Sequence, residues 1–365
     1  MINSKRATQI PDLTLGQRSH SIPTASIVKR NPQDLAIIYR TGDARLQRSA
    51  ITPVLDSLRE VILRVLEHDP VRTMVSQDGV RCRMDYCEHP APDDLRHHVQ
   101  CIWWLRDDAP GNDVQVIYPD GRCELLAELG VPLQLHGADG RIRSDLPFCF
   151  AAQQCGPIRL QAAGAVFCIG VRLQPAASAL IAGARLPGLR DQAPDLYTLD
   201  ASFAETFSAA ARASAVINTP EPLWQALRDR CASFILDERV EQAVADLDAM
   251  EGDLRIAELA RRLGMSLRGL QSRFLAAVGM TPKEYARVCR LQAILHTLDE
   301  EATSIAAAAA RHGYSDQAHA TRDLVRWTGV TPGRLANALR GDRGSDDALR
   351  LAAAFVRGTS GGRLL

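Results

Sequence analysis

Asp253-Leu-Arg-Ile-Ala-Glu-Leu-Ala-Arg-Arg-Leu-Gly264, running on through Met265-Ser266-Leu-Arg-Gly-Leu-Gln-Ser-Arg-Phe274, is the stretch that decides the fold. Ile256, Leu259, Ala260 and Leu263 recur at i, i+3, i+4 and i+7 and so share one face of a helix. Gly264 stops that helix, because glycine takes the left-handed backbone needed just past a C-terminus. Ser266 is placed to cap the next helix. In that second helix Leu267, Leu270 and Phe274 are expected to point inward, which turns Arg268, Gln271 and Ser272 outward. Helix, glycine turn and capped second helix make the unit that lays a recognition helix into a DNA major groove.

Working toward the C-terminus, the arrangement recurs. Ser304–His312 contains Ala306–Ala310, a run of the strongest helix former. Gly313-Tyr314 turns the chain, Ser315 is expected to cap, and Gln317, Thr321 and Arg322 form a second outward set. The two expected caps, Ser266 and Ser315, are 49 positions apart. Between the units Pro282 opens a helix reaching about Leu298, roughly 25 Å long at 1.5 Å per residue. Such a spacer suits two recognition helices held about one DNA turn, ~34 Å, apart.

Charge supports an anionic partner. The formal net charge is zero, from 43 basic and 43 acidic residues. Residues 253–340 hold 13 Lys/Arg against 8 Asp/Glu, leaving 30 against 35 for the rest, so a segment of +5 is attached to a body of −5. A basic segment of this kind suits double-stranded DNA.

Toward the N-terminus the character changes. Residues 1–80 read as an extension, irregular over 1–48. Ile51, Val54, Leu58, Val61 and Val65 then mark one amphipathic helix over about 50–67, which docks on the protein's own body or forms a homodimer contact. Over 81–182 short apolar runs (Cys101–Leu105, Val114–Ile117, Leu125–Leu129, Ala165–Leu173) alternate with Pro and Gly turns, the pattern of a small β-sandwich or barrel. Residues 183–250 read as a helical connector punctuated by prolines, and 341–365 as a flexible tail. The expected class is therefore α+β and multidomain. A β-rich regulatory domain is followed by helices and then by an all-α domain of two helix-turn-helix units on a linker helix.

Other functional classes find little support. The longest apolar runs, such as Ile305–Ala310, are far shorter than the roughly 20 residues of a membrane span, and the first 30 residues lack the apolar segment of a secretory signal. A cytoplasmic protein without a membrane partner is expected. Seven of nine cysteines (Cys82, Cys87, Cys101, Cys123, Cys149, Cys155 and Cys168) fall in one stretch without C-x-x-C pairs. They read as small buried apolar residues rather than a redox or metal site. His89, His97 and His98 have no recognised ligand spacing, and phosphate-loop, dinucleotide and H-E-x-x-H patterns are absent. No metal, cofactor or catalytic residue is expected. Asp120, Arg122 and Glu124 beside Pro119-Asp120-Gly121 read as a solvated turn, with a pocket lining as the alternative.

With I-A-E-L-A-R-R-L-G-M-S at 256–266, Gly279-Met-Thr-Pro282, G-Y-S-D-Q-A-H-A-T-R at 313–322 and Trp327-Thr-Gly-Val-Thr-Pro332, residues 253–340 resemble the DNA-binding domain of the AraC family of transcription regulators. The resemblance implies base contacts from Arg268, Gln271 and Ser272 in the first unit and from Gln317, Ala318, Thr321 and Arg322 in the second. Arg can grip guanine and Gln adenine. Arg261, Arg273, Arg287, Arg311 and Arg326 are candidates for phosphate contact. Three departures stand out: Ser272 replaces the family's usual Arg, and Ala320 and Leu324 replace commonly aromatic core positions. Residues from His89-Pro90 to about Ala182 resemble an uncharacterised domain that precedes such DNA-binding domains. The cues are Val99-Gln-Cys-Ile-Trp-Trp-Leu105, Tyr118-Pro-Asp-Gly-Arg-Cys-Glu-Leu-Leu126 and Gly170-Val-Arg-Leu-Gln-Pro175. What this implies is a regulatory role through a small-molecule effector or self-association, with RNA polymerase as a further partner. The alternatives are a DNA-repair or alkyl-transfer enzyme fused to such a domain, and a protein-interaction module.

Overall fold

A computed structural model describes residues 24–31, 34–40, 84–112, 114–137, 139–300, 304–314 and 316–335. The helix expected over 50–67, Cys82, Ser315, residues 336–340 and the tail 341–365 lie outside the described residues. The chain divides into two compact units, Met1–Asp69 and Pro70–Leu365.

In the first unit Thr24–Asn31 (β1) and Asp34–Arg40 (β2) pair antiparallel, from Thr24 opposite Arg40 to Asn31 opposite Asp34. Over these two stretches this corrects the expectation of irregular chain. Ile27-Val28 and Ile37-Ile38-Tyr39 are β-branched and aromatic, and Asn31-Pro32 punctuates the sequence between them. Runs this short show no sustained period, yet they are enough for a strand pair.

The second unit opens with strands β3 (Met84–Pro90), β4 (Val99–Asp107), β5 (Val114–Ile117), β6 (Glu124–Glu128), β7 (Gln134–His136), β8 (Ile142–Ser144), β9 (Phe148–Ala151), β10 (Ile158–Gln161) and β11 (Val166–Leu173). They form two antiparallel sheets, of order β3-β4-β11-β6-β9 and β5-β10-β7-β8. The four expected apolar runs fall in β4, β5, β6 and β11, with only their end residues Leu129 and Ala165 outside a strand. Central strand β11 is buried on both faces, so its sequence reads as a nearly continuous apolar run rather than an alternation.

Two short 3-10 turns, Pro175–Ala177 and Gly183–Gly188, flank α1 (Ala179–Ala182), and α2 is Leu196–Leu199. Helices α3 (Ala201–Ile217) and α4 (Glu221–Cys231) lay Phe203, Phe207, Leu223, Trp224 and Leu227 in one core with Ile102, Leu125, Phe150, Ile169 and Val171 of the five-stranded sheet. The helices of 183–250 are thus shared between two cores. α3 and α4 cover the sheet, whereas α5 (Glu238–Ala249) packs Val240, Ala243 and Leu247 into the core of the C-terminal helices.

The remaining helices are α6 (Ile256–Arg262), α7 (Leu267–Val278), α8 (Pro282–Glu300), α9 (Ile305–Arg311) and α10 (Gln317–Thr328). Linker helix α8 buries Tyr285, Val288, Leu291, Ile294, Leu295 and Leu298, spaced three and four apart, against both units. At the turn before α6, Gly252 has φ +75°, and a Cβ there would lie 1.9 Å from the Ala286 carbonyl oxygen of α8. Only glycine lets the two backbones come so close.

Candidate nucleic-acid interface

Each unit is built by the same local chemistry. Gly264 (φ +62°) and Gly313 (φ +73°) turn the chain after α6 and α9. Ser266 caps α7 by accepting from Gly269 N at 3.0 Å. The cap of α10 is not Ser315, the residue expected from sequence, but Asp316, which accepts from His319 N at 2.6 Å. Both residue types can cap, so composition alone did not decide between neighbours. The consequence is a change of register. α6 and α9 start 49 positions apart, at Ile256 and Ile305, whereas α7 and α10 start 50 apart, at Leu267 and Gln317. The second turn therefore holds one extra residue.

In this register Arg268 corresponds to Ala318, Gln271 to Thr321 and Ser272 to Arg322. Within these matched sets each recognition helix carries one arginine, Arg268 at the second position of α7 and Arg322 at the sixth of α10. Arg268, Gln271, Ser272, Gln317, Ala318 and Arg322 are exposed, and Thr321 is half-buried. Among the described residues no carboxylate pairs with Arg268 or Arg322. The face also contains a residue the sequence placed in the core. Leu267 is 44% exposed, because at the first helical position it has no preceding turn to pack on, whereas Leu270 and Phe274 are fully buried.

The arginines proposed for phosphate are placed differently from one another. Arg261 is exposed and folds back on Glu258 at 2.7 Å. Arg273 pairs with Asp237 at 2.5 Å, and Arg287 on α8 turns toward Asp323 of α10 at 4.0 Å. Arg273 and Asp323 occupy the same position, the seventh, in α7 and α10, and both tie their helix to a neighbour. Arg311 is exposed, and Arg326 lies over the Trp327 ring at 5.5 Å.

The second unit has a closed core despite its two departures from the aromatic pattern. Ala320 and Leu324 are fully buried, and Trp327 and Tyr314 are buried in the same cluster. Arg290 lies 5.2 Å over the Tyr314 ring, and buried His312 bridges Thr297 (2.8 Å) and Glu251 (2.9 Å).

Behind the recognition helices lies a polar contact with the β-rich part that the sequence reading missed. The Tyr285 hydroxyl donates to Asp248 at 2.8 Å and accepts from Arg122 at 3.1 Å, while Arg122 also reaches Asp248 at 3.3 Å. Gln292 donates to the Pro119 carbonyl at 2.5 Å. The turn at Pro119–Gly121, expected to be solvated, is packed against α8: a Cβ on Gly121 would lie 2.8 Å from the Tyr285 ring. Glu124, the third residue of that set, faces elsewhere, accepting from Trp103 (3.0 Å) and Arg172 (2.8 Å).

His89, His97 and His98 go to separate neighbours: the Trp104 ring, Glu241 and the Phe234 ring. Burial pushes the thiols of Cys101 and Cys123 up to about 12, and those of Cys149 and Cys168 well above the usual thiol range. These groups are neutral at physiological pH and therefore poor nucleophiles. Among the described residues no helix is long and apolar enough to cross a membrane.

Residues 259–338 match a helix-turn-helix domain family, and residues 87–195 match a domain of unknown function (DUF6597). No curated protein sequence matches the chain. Among solved structures, a probable AraC family transcriptional regulator from Rhodopseudomonas palustris is 25% identical, over 32% of this chain and 98% of its own, with a TM-score of 0.25. ToxT from Vibrio cholerae, solved with a bound unsaturated fatty acid, is 10% identical over 66% of this chain and 96% of its own, with a TM-score of 0.36. The AraC-like transcriptional activator CuxR is 14% identical over 57% and 85%, with a TM-score of 0.24. The paired capped units and the domain match define a helix-turn-helix DNA-binding protein. The chain carries this helix-turn-helix domain behind the domain of unknown function.

Proposed function

We propose that α7 and α10 enter successive major grooves on one face of a duplex and read bases through Arg268, Gln271 and Ser272 and through Gln317, Ala318, Thr321 and Arg322. The observation that carries this reading is the outward arginine on each capped helix, exposed and without a carboxylate partner among the described residues. An arginine left unpaired beside others held in ion pairs is free to grip a guanine edge bidentately. Because the arginine sits at different positions in the two helices, the two sub-sites differ in sequence, and the operator is not a simple direct repeat. Arg261, Arg311 and Arg326 are assigned to phosphate. Arg273 and Arg287 are engaged within the protein and serve first to fix the helices.

The β-rich domain modulates this reading, a role supported by its direct contacts with α8 through Arg122 and Pro119. A small-molecule effector, a second copy of the chain and RNA polymerase are the partners this reading calls for. The test is binding of the full chain to its own upstream region across a range of salt. Affinity falling steeply with salt, as counterion release requires, supports the proposal. Flat or undetectable binding refutes it.

A further inference from the structure

The C-terminal ends of the two recognition helices are held by one piece of the β-rich domain. α7 ends at Gly279 and α10 at Gly329, both with left-handed backbones, and the two glycines are 50 positions apart, like the helices they terminate. At the first corner a Cβ on Gly279 would lie 3.0 Å from Leu186 Cγ and 3.3 Å from Gln153 Cγ. Arg190 there donates to Glu284 at 2.8 Å, and Glu284 in turn accepts from Thr281 N at 2.9 Å. At the second corner a Cβ on Gly329 would lie 3.2 Å from Arg159 Nη2 and 3.3 Å from Pro157 Cγ.

The pieces that touch the two corners are themselves tied together. Asp191 donates its N–H to the Gln153 carbonyl at 3.0 Å, and its carboxylate accepts from Cys155 N at 2.6 Å. Asp191 holds φ +58°, an uncommon backbone for a residue other than glycine. The segment is also anchored in the fold: Gln153 donates to the Gly121 carbonyl at 3.0 Å, and Arg159 lies in β10, paired with β5.

We propose that Gln153–Arg159, braced by Asp191 and Arg190, is a strap that fixes the separation and relative rotation of the two recognition helices, so that Arg159 and Arg190 are positioning residues for DNA reading. A tilt of either unit about linker helix α8 would move one glycine corner away from the strap while the other stayed. The β-rich domain thereby determines which spacing of sub-sites the protein accepts. This inference rests on the reading that both helices enter DNA.

The test is selection of binding sites from random duplexes by the full-length chain, as wild type and as Arg159→Ala/Arg190→Ala. The wild type is expected to select two sub-sites at one fixed separation. Inserting two base pairs between them turns one sub-site by about 70° and shifts it by about 7 Å. That insertion is expected to cost the wild type about tenfold or more in affinity, and the double variant less than about threefold, with the sub-site sequences unchanged. A double variant that keeps the single separation and the full insertion penalty overturns the proposal. So does one that loses sub-site preference with an unchanged melting curve, since that would place the arginines on DNA. Should the double variant fail to fold by circular dichroism, Arg159→Ala alone is read by the same criteria. A wild-type chain that selects no duplex overturns both this inference and the DNA-reading proposal.

Discussion

Arg322 and Arg268 show what a single side chain contributes here and how it can be checked. Arg322→Ala is expected to lose roughly 1–3 kcal/mol of binding to the selected site and to relax preference at one base pair. Competition with single-base variants of that site checks it, and a uniform loss across all sequences would reassign Arg322 to phosphate. A second residue carries a pH signature. Glu128 is buried, its carboxylate accepts from Leu133 N at 2.9 Å, and burial pushes its pKa up to about 7. The folded state then keeps a proton that the unfolded chain releases near pH 4.5. Stability from this group is fully present below about pH 4.5 and is lost as pH rises through 7, by at most roughly 3 kcal/mol. Glu128→Gln keeps an acceptor for Leu133 and removes the charge. Its melting temperature is expected to exceed the wild type's at pH 8 and to match it near pH 4.5; equal melting at both pH values would show that the carboxylate is not desolvated. At this scale the outward residues were legible, because periodicity about Leu270 and Phe274 orients them. Leu267 was not, because periodicity is silent about whether the first residue of a helix has anything to pack on.

For the elements, glycines and caps carry most of what can be read. Gly252→Ala forces a side chain onto a left-handed backbone and into the Ala286 carbonyl, and is expected to destabilise the chain by roughly 2 kcal/mol or more. Trp327→Ala removes a ring that is buried in the C-terminal core and is expected to cost about 3–5 kcal/mol. Urea titration measures both, and a Trp327→Ala variant losing less than about 1 kcal/mol would mean that the core closes over the gap. The two helix-turn-helix units could be recognised because their turns, caps and apolar stripes are all local in sequence. Strands β4, β5, β6 and β11 were legible for the same reason, whereas the shorter or less apolar β7 to β10 were not. The one-residue difference between the two turns was not, since Ser315 and Asp316 are both able to cap and only the backbone distinguishes them. The full burial of Ala320 and Leu324 in one cluster with Tyr314 and Trp327 was hidden because packing is a property of the assembled core.

Across the whole molecule the contacts that matter join residues far apart in sequence. Arg122 and Tyr285 are separated by 163 positions, and nothing local to either points to the other. Tyr285→Phe keeps the ring against Phe274 and removes the hydroxyl, leaving Arg122 and Asp248 to pair alone; a loss of about 1–2 kcal/mol in stability is expected. The central claim, that both capped helices read DNA, is tested most directly by titrating the selected duplex with wild type, Arg268→Ala and Arg322→Ala over about 50 to 200 mM salt. The account predicts that wild-type affinity falls by about 10³-fold or more across that range, and that each variant binds more weakly while relaxing preference in a different sub-site. Affinity that is insensitive to salt, or two variants that bind and discriminate like the wild type, would contradict it.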